Sequence, residues 1–220
     1  MPEGLFVTFE GIEGTGKSTQ VGLAARRLAA RGIEHVVTRE PGGTPLGRTL
    51  RAFLLERHEH PADPLVEALL MVADRAHHVA TVIAPALAAG QVVLCDRFAD
   101  ATLAYQGGGS GVDPDLLARM NRAATRSRSP DLTVLLDLDP ARAVERLAAR
   151  AGALDRFESE PHAFFVRVRR AYHELAAREP ERWLVVSAEG DAAGIADTIE
   201  REIDRRLAAK SAAQTGFPKT

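Results

Sequence analysis

The chain is short of several things, and each scarcity removes a class of protein. It has a single cysteine, Cys95, so no internal disulfide can form, and the residue reads as a small buried hydrophobe following Val92-Val93-Leu94 in a reducing compartment. No sign of charge is in excess. The 28 basic and 30 acidic residues leave a formal charge of −2, without the positive field that marks nucleic-acid binders, so no nucleic-acid partner is expected. Long hydrophobic runs are missing: the longest uncharged apolar stretch, Val79 to Val93, contains Pro85, Gly90 and Gln91 and falls short of the roughly 20 residues of a membrane span. The opening MPEGLFVTFE lacks a basic segment followed by a long apolar one, so neither a secretory leader nor a membrane partner is expected, and the location is read as cytoplasmic. None of the seven histidines has metal-ligand spacing; His77 and His78 adjoin on a helix and point apart.

What is present suits one α/β domain. With 220 residues, 45% of them hydrophobic, the chain is long enough for one well-buried core and short for two. Five runs rich in Val, Leu and Phe recur: Leu5 to Phe9, Ile33 to Thr38, Gln91 to Cys95, Leu132 to Leu138 and Trp183 to Ser187. Amphipathic stretches separate them, including Lys17 to Arg31, Leu46 to Arg57, Asp113 to Arg126, Ala141 to Arg150, Pro161 to Arg178 and Ala192 to Ala209. A further helix is expected over Pro64 to Ala89, bent or ended by Pro85 near its last turn. The alternation predicts a five-stranded parallel sheet surrounded by helices. Residues 1–210 are read as one domain, Gly107 to Gly111 as a loop within it, and residues 211–220 as a flexible tail.

The most informative segment is Gly11-Ile12-Glu13-Gly14-Thr15-Gly16-Lys17-Ser18-Thr19, a glycine, four residues and then Gly-Lys-Ser, lying between a strand and a helix. Such a loop turns successive N–H groups, and the positive end of the new helix, toward one phosphate. Lys17 is expected to reach the β- and γ-phosphates of ATP and Ser18 to ligate Mg²⁺. The loop does not reveal what receives the phosphate.

Ligands of parallel sheets sit at the carboxyl ends of the strands. Two arginines stand there, in Thr38-Arg39-Glu40 and Asp96-Arg97-Phe98, and guanidinium groups hold phosphate oxygens in bidentate fashion. Asp96 could add a carboxylate near Mg²⁺, directly or through water. Arg150 and Arg156 flank the small-residue loop Ala151-Gly152-Ala153, which reads as a lid at about residues 148–158. This charge cluster favours an acceptor that is itself a phosphate: a monoester with a second pKa near about 6 arrives mostly dianionic and needs no general base.

Taken together, Gly11-x-Glu-Gly-x-Gly-Lys-Ser, Thr38-Arg-Glu-Pro-Gly-Gly-Thr, Asp96-Arg-Phe and Ala104-Tyr-Gln-Gly-Gly-Gly resemble, in order and spacing, the bacterial thymidylate kinases of the lid-arginine type. The resemblance implies a P-loop nucleoside-monophosphate-kinase-like fold, phosphorylation of dTMP by Mg·ATP, and a homodimer. It also implies that Glu13 contacts the deoxyribose 3′-hydroxyl, that Arg39 and Arg97 hold the acceptor phosphate and the transferring group, and that Arg75 bonds a thymine carbonyl. Thr102 and Gln106 match polar contacts to the base, Arg51 a further base-side contact, and Tyr105 a tyrosine that crowds the 2′ position. Met71 stands where many relatives stack a phenylalanine on thymine; a thioether can cover a ring face with soft contacts. Adenine contacts are poorly marked, Ala188-Glu189-Gly190 being a candidate. The alternatives are a kinase for another nucleoside monophosphate or a deoxynucleoside, and an ATP-driven switch. A guanine-nucleotide switch is disfavoured, because its Asn-Lys-x-Asp motif is missing and the one asparagine, Asn121, precedes Arg122.

Overall fold

The computed structural model describes residues 3–56, 59, 62–150 and 155–215. Its centre is a parallel sheet of β1 (Phe6–Glu10), β2 (His35–Arg39), β3 (Val92–Asp96), β4 (Leu132–Asp137) and β5 (Trp183–Ser187), in the order β2-β3-β1-β4-β5. The three inner strands read as almost unbroken apolar runs because helices cover both faces. The edge strands β2 and β5 alternate in exposure. One face packs Val7, Phe9, Leu94 and Val134 with Phe165, Val168 and Tyr172; the other packs Phe6, Val93 and Cys95 with Ile83, Leu87 and Phe98. Register aligns Phe9 and Arg39 with Asp96, so the carboxyl ends of β1, β2 and β3 open on one edge.

The helices are α1 (Lys17–Ala30), α2 (Pro45–Leu55), α3 (Pro64–His78), α4 (Ala84–Ala88), α5 (Ala99–Thr102), α6 (Pro114–Thr125), α7 (Pro140–Ala149), α8 (His162–Arg178) and α9 (Ala192–Thr215). Proline in the first turn starts α2, α3, α6 and α7, with Thr44, Asp63, Asp113 and Asp139 capping free N–H groups.

Three expectations are corrected. The single helix over Pro64 to Ala89 is instead α3, a π-helical turn at Val79–Ile83, and α4. Pro85 has no N–H and its ring would strike the carbonyl four residues back, so the chain widens by one turn before it. The glycines taken for a loop belong largely to a π-helical segment, Leu103–Gly109, that continues α5. Their lack of side chains serves packing: a Cβ on Gly108 would overlap the Ala171 Cβ, and one on Gly109 the Phe164 ring, both on α8. Finally, α9 runs to Thr215, five residues into the expected tail, while residues 216–220 lie outside those described. No described helix is long and apolar enough to cross a membrane.

Candidate active site

The turn from β1 into α1 brings backbone and charge to the open sheet edge. Gly14 has φ 74° and approaches α7 so closely that a Cβ would lie 2.8 Å from the Ala143 carbonyl oxygen. Lys17 follows, buried, its Nζ donating to the carbonyls of Gly11 (3.0 Å) and Ile12 (2.7 Å). Burial, then the nearby charge of Arg97, lowers the Lys17 pKa to about 8. The Ser18 hydroxyl donates to Asp96 Oδ2 at 2.8 Å.

A cleft of about 560 Å³ opens beside this loop. Of the residues expected from sequence, Glu13, Gly14, Gly16, Lys17, Ser18, Thr19, Arg39, Arg51, Met71, Arg75, Asp96, Arg97, Thr102, Tyr105, Gln106 and Arg150 line it. Gly11, Ile12, Thr15 and Arg156 do not. Ile12 is buried, and Thr15 Oγ1 donates inward to the Ile12 carbonyl, so this part of the loop supports the lining from behind. Arg156 is ion-paired to Glu67 on α3 and lies 4.5 Å over the Phe157 ring. Arg150, exposed, pairs with Glu158 at 2.7 Å. Between them residues 151–154 of the expected lid lie outside those described. Ala188, Glu189 and Gly190 do not line the cleft, but Arg146 does and donates to the Ala188 carbonyl at 2.8 Å.

Arg97 is the hub. It holds φ 71°, sparsely populated for a residue with a side chain, and its N–H bonds the Phe9 carbonyl at 3.0 Å. Its guanidinium donates to the Gly11 carbonyl (3.1 Å), Glu13 Oε1 (2.8 Å) and the hydroxyls of Tyr105 (3.0 Å) and Tyr172 (3.3 Å). Tyr105 donates in turn to Glu13 Oε2 at 2.5 Å. Nearby, burial and then the charges of Arg39 and Arg97 push the Arg51 pKa down, a sign of how much positive potential converges here.

Sequence reading missed Glu10, Tyr172 and Asn121. Glu10 is wholly buried, accepting from the Phe98 N–H at 2.8 Å and from the Tyr172 hydroxyl at 2.7 Å. Tyr172 lies 75 residues from Arg97, and nothing local in α8 distinguishes it from a core aromatic. Glu10, next to the glycine loop, reads only as the end of a strand.

Burial, then the charge of Asp100, raises the Glu10 pKa to about 8 from 4.5. The folded state therefore keeps a proton that the unfolded chain releases above 4.5, so this group costs nothing below that value and destabilises progressively up to about 8. Glu10→Gln should flatten the loss of stability with rising pH, which urea unfolding at about pH 5 and about pH 8 would measure.

A sequence profile described as thymidylate kinase matches residues 9–199. The chain belongs to the thymidylate kinase family. Thymidylate kinase of Synechococcus sp. (strain JA-2-3B'a(2-13)) is 50% identical over 203 residues, covering 92% of this chain and 96% of its own. The enzyme of Desulfovibrio desulfuricans is 53% identical over 190 residues, 84% and 88% of the two chains. The crystal structure of thymidylate kinase from Ehrlichia chaffeensis superposes with a TM-score of 0.75 at 32% identity, covering 92% of this chain and 100% of that one. The expected P-loop nucleoside-monophosphate-kinase fold is therefore the observed one, a five-stranded parallel sheet surrounded by helices. The chain is an enzyme, a thymidylate kinase by family.

Proposed function

We propose that this chain transfers the γ-phosphoryl group of Mg·ATP to the phosphate of dTMP, giving dTDP and ADP in the cytoplasm as a step toward dTTP. The observation that carries the reading is the convergence of Lys17, Arg39, Arg51 and Arg97 on one cleft that the buried Arg75 also lines. ATP lies with its phosphates on residues 11–19, and dTMP opposite, its phosphate on Arg39 and Arg97 and its base toward Met71, Arg75, Thr102 and Gln106. Glu13 faces the sugar, Tyr105 restricts the 2′ position, and Arg51 adds a contact on the acceptor side. An oxygen of the dTMP phosphate attacks the γ-phosphorus as the bond to the ADP oxygen breaks; no proton need be removed from a dianionic nucleophile. The protein's work is positioning and charge neutralisation, in which Lys17 stabilises the transferring group. Arg150, and Arg156 once released from Glu67, join the phosphates from the lid, which also keeps water from the γ-phosphate. The position of Arg146 between the cleft and the Ala188 carbonyl supports adenine binding near residues 188–190.

The donors present suit Mg²⁺. The Ser18 hydroxyl and the Asp96 carboxylate meet beside the phosphate loop, and an ion bound chiefly through nucleotide phosphates and water needs only one or two protein oxygens. When bound, Mg²⁺ supplies neutralising charge to the β- and γ-phosphates.

The deciding experiment is ADP release from Mg·ATP with dTMP, dUMP, dCMP, dGMP, UMP or thymidine as acceptor. Strong preference for dTMP is expected. Preference for another acceptor would leave a kinase with a different pocket, and acceptor-independent hydrolysis would favour the switch.

A homodimer forms part of this reading. Leu46 on α2 and Leu65, Val66 and Leu69 on α3 are exposed on adjacent helices, an apolar face that a second copy would cover. Leu69→Glu should shift the wild-type dimer toward monomer in sedimentation, and an unchanged mass would place the interface elsewhere.

A further inference from the structure

Arg75 is the largest wholly buried side chain among the described residues, at 1% exposure, yet it lines the cleft. A guanidinium carries five N–H groups, and the surroundings take four of them. Nε donates to Glu40 Oε2 at 2.8 Å, Nη1 to Asn121 Oδ1 at 2.6 Å and to Thr102 Oγ1 at 3.1 Å, and Nη2 to the Phe98 carbonyl at 3.0 Å. One N–H on Nη2 remains without a partner among the described residues. Glu40 is itself fixed by His78 Nδ1 at 2.9 Å, and His78 Nε2 meets Thr38 Oγ1 at 2.6 Å. The shortest of the four bonds goes to Asn121, on α6, which is 5% exposed and does not line the cleft. Its Nδ2 donates to the Ala99 carbonyl at 3.2 Å, which turns Oδ1 toward Arg75.

We infer that Asn121 is a positioning residue for base discrimination: its Oδ1 fixes the rotation of the Arg75 guanidinium so that the single remaining N–H reads the 4-substituent of a pyrimidine. This rests on the proposed dTMP pocket. Thymine presents an acceptor oxygen at that position and cytosine an amino donor, so a fixed N–H donates to the first and opposes the second. Uracil carries the same oxygen as thymine and differs only in the methyl group, so it is an internal control.

The test compares kcat/KM for dTMP, dUMP and dCMP in the wild type, Asn121→Ala and Asn121→Asp. If the wild type does not prefer dTMP over dCMP, the underlying pocket is wrong. If it does, Asn121→Ala should lower the dTMP/dCMP ratio by about tenfold or more, the scale of one hydrogen bond to a charged group. The change should enter through the KM for dTMP, with kcat, the KM for ATP and the dTMP/dUMP ratio nearly unchanged. Asn121→Asp, which keeps an acceptor oxygen for Arg75 but loses the Nδ2 donor to the Ala99 carbonyl, should retain more discrimination than Asn121→Ala. An unchanged dTMP/dCMP ratio in folded Asn121→Ala, equal loss in Asn121→Asp, or a parallel fall in dTMP/dUMP would each overturn the inference. Should Asn121→Ala fail to fold, Asn121→Ser withdraws the acceptor with less loss of packing and is judged by the same ratios.

Discussion

Lys17→Met should lower kcat by about a thousandfold, the upper range for removing one donor to transition-state charge, while changing the KM for dTMP little. Methionine keeps the length and apolar stem of lysine but not the charge. The groups proposed to bind the acceptor, Arg39 at the end of β2, Arg97 just after β3 and Arg75 on α3, stand apart from Lys17 in the chain, so the effect belongs to the chemical step. Lys17→Arg should not restore the rate: the lysine head is enclosed by the Gly11 and Ile12 carbonyls, and a planar fork needs more room than a compact ammonium. Single-turnover rates at saturating dTMP would measure both variants, and a kcat within about tenfold of wild type for Lys17→Met would assign the charge to another group.

The second large effect is at Arg97. Arg97→Ala should lower the rate at least about a hundredfold, and near-normal turnover in a folded variant would remove Arg97 from the mechanism. Stability should fall as well, because the substitution leaves Glu13, a partly buried carboxylate, without its cation. Arg97→Lys should repair the stability more than the rate. One ammonium can pair with Glu13, but it cannot also serve the Gly11 carbonyl and two tyrosines in the planar geometry of a guanidinium.

The order of strands and helices was legible in the sequence because buried parallel strands are short apolar runs and phosphate loops are local. Trp183–Ser187 agrees with expectation residue for residue, and the other strands lie within two residues of it. What depended on long-range packing was not legible. Nothing in Leu103 to Gly109 says that its glycines touch α8, so a helical segment read as a loop. Pro85 did announce a break, but not that the chain would meet it with a π-helical turn. At the cleft, Arg39, Arg75 and Arg97 stand in recognisable segments, whereas their supports, Glu10, Tyr172 and Asn121, are contributed by elements distant in sequence and carry ordinary side chains. Arg156 carried a lid signal, but its pairing with Glu67, 89 residues away, could not be read from the loop itself.

The bare backbone at Gly108 and Gly109 has a consequence for how this enzyme can change over generations. These positions have no side chain to offer a substrate, yet even a methyl group would wedge α8 away from the segment that carries Tyr105 and Gln106. With the proposed pocket, nucleotide preference is thus exposed to mutation at sites that do not line the cleft. A lineage altering its acceptor would meet its narrowest tolerance there, where hydrogen is the only substituent that fits.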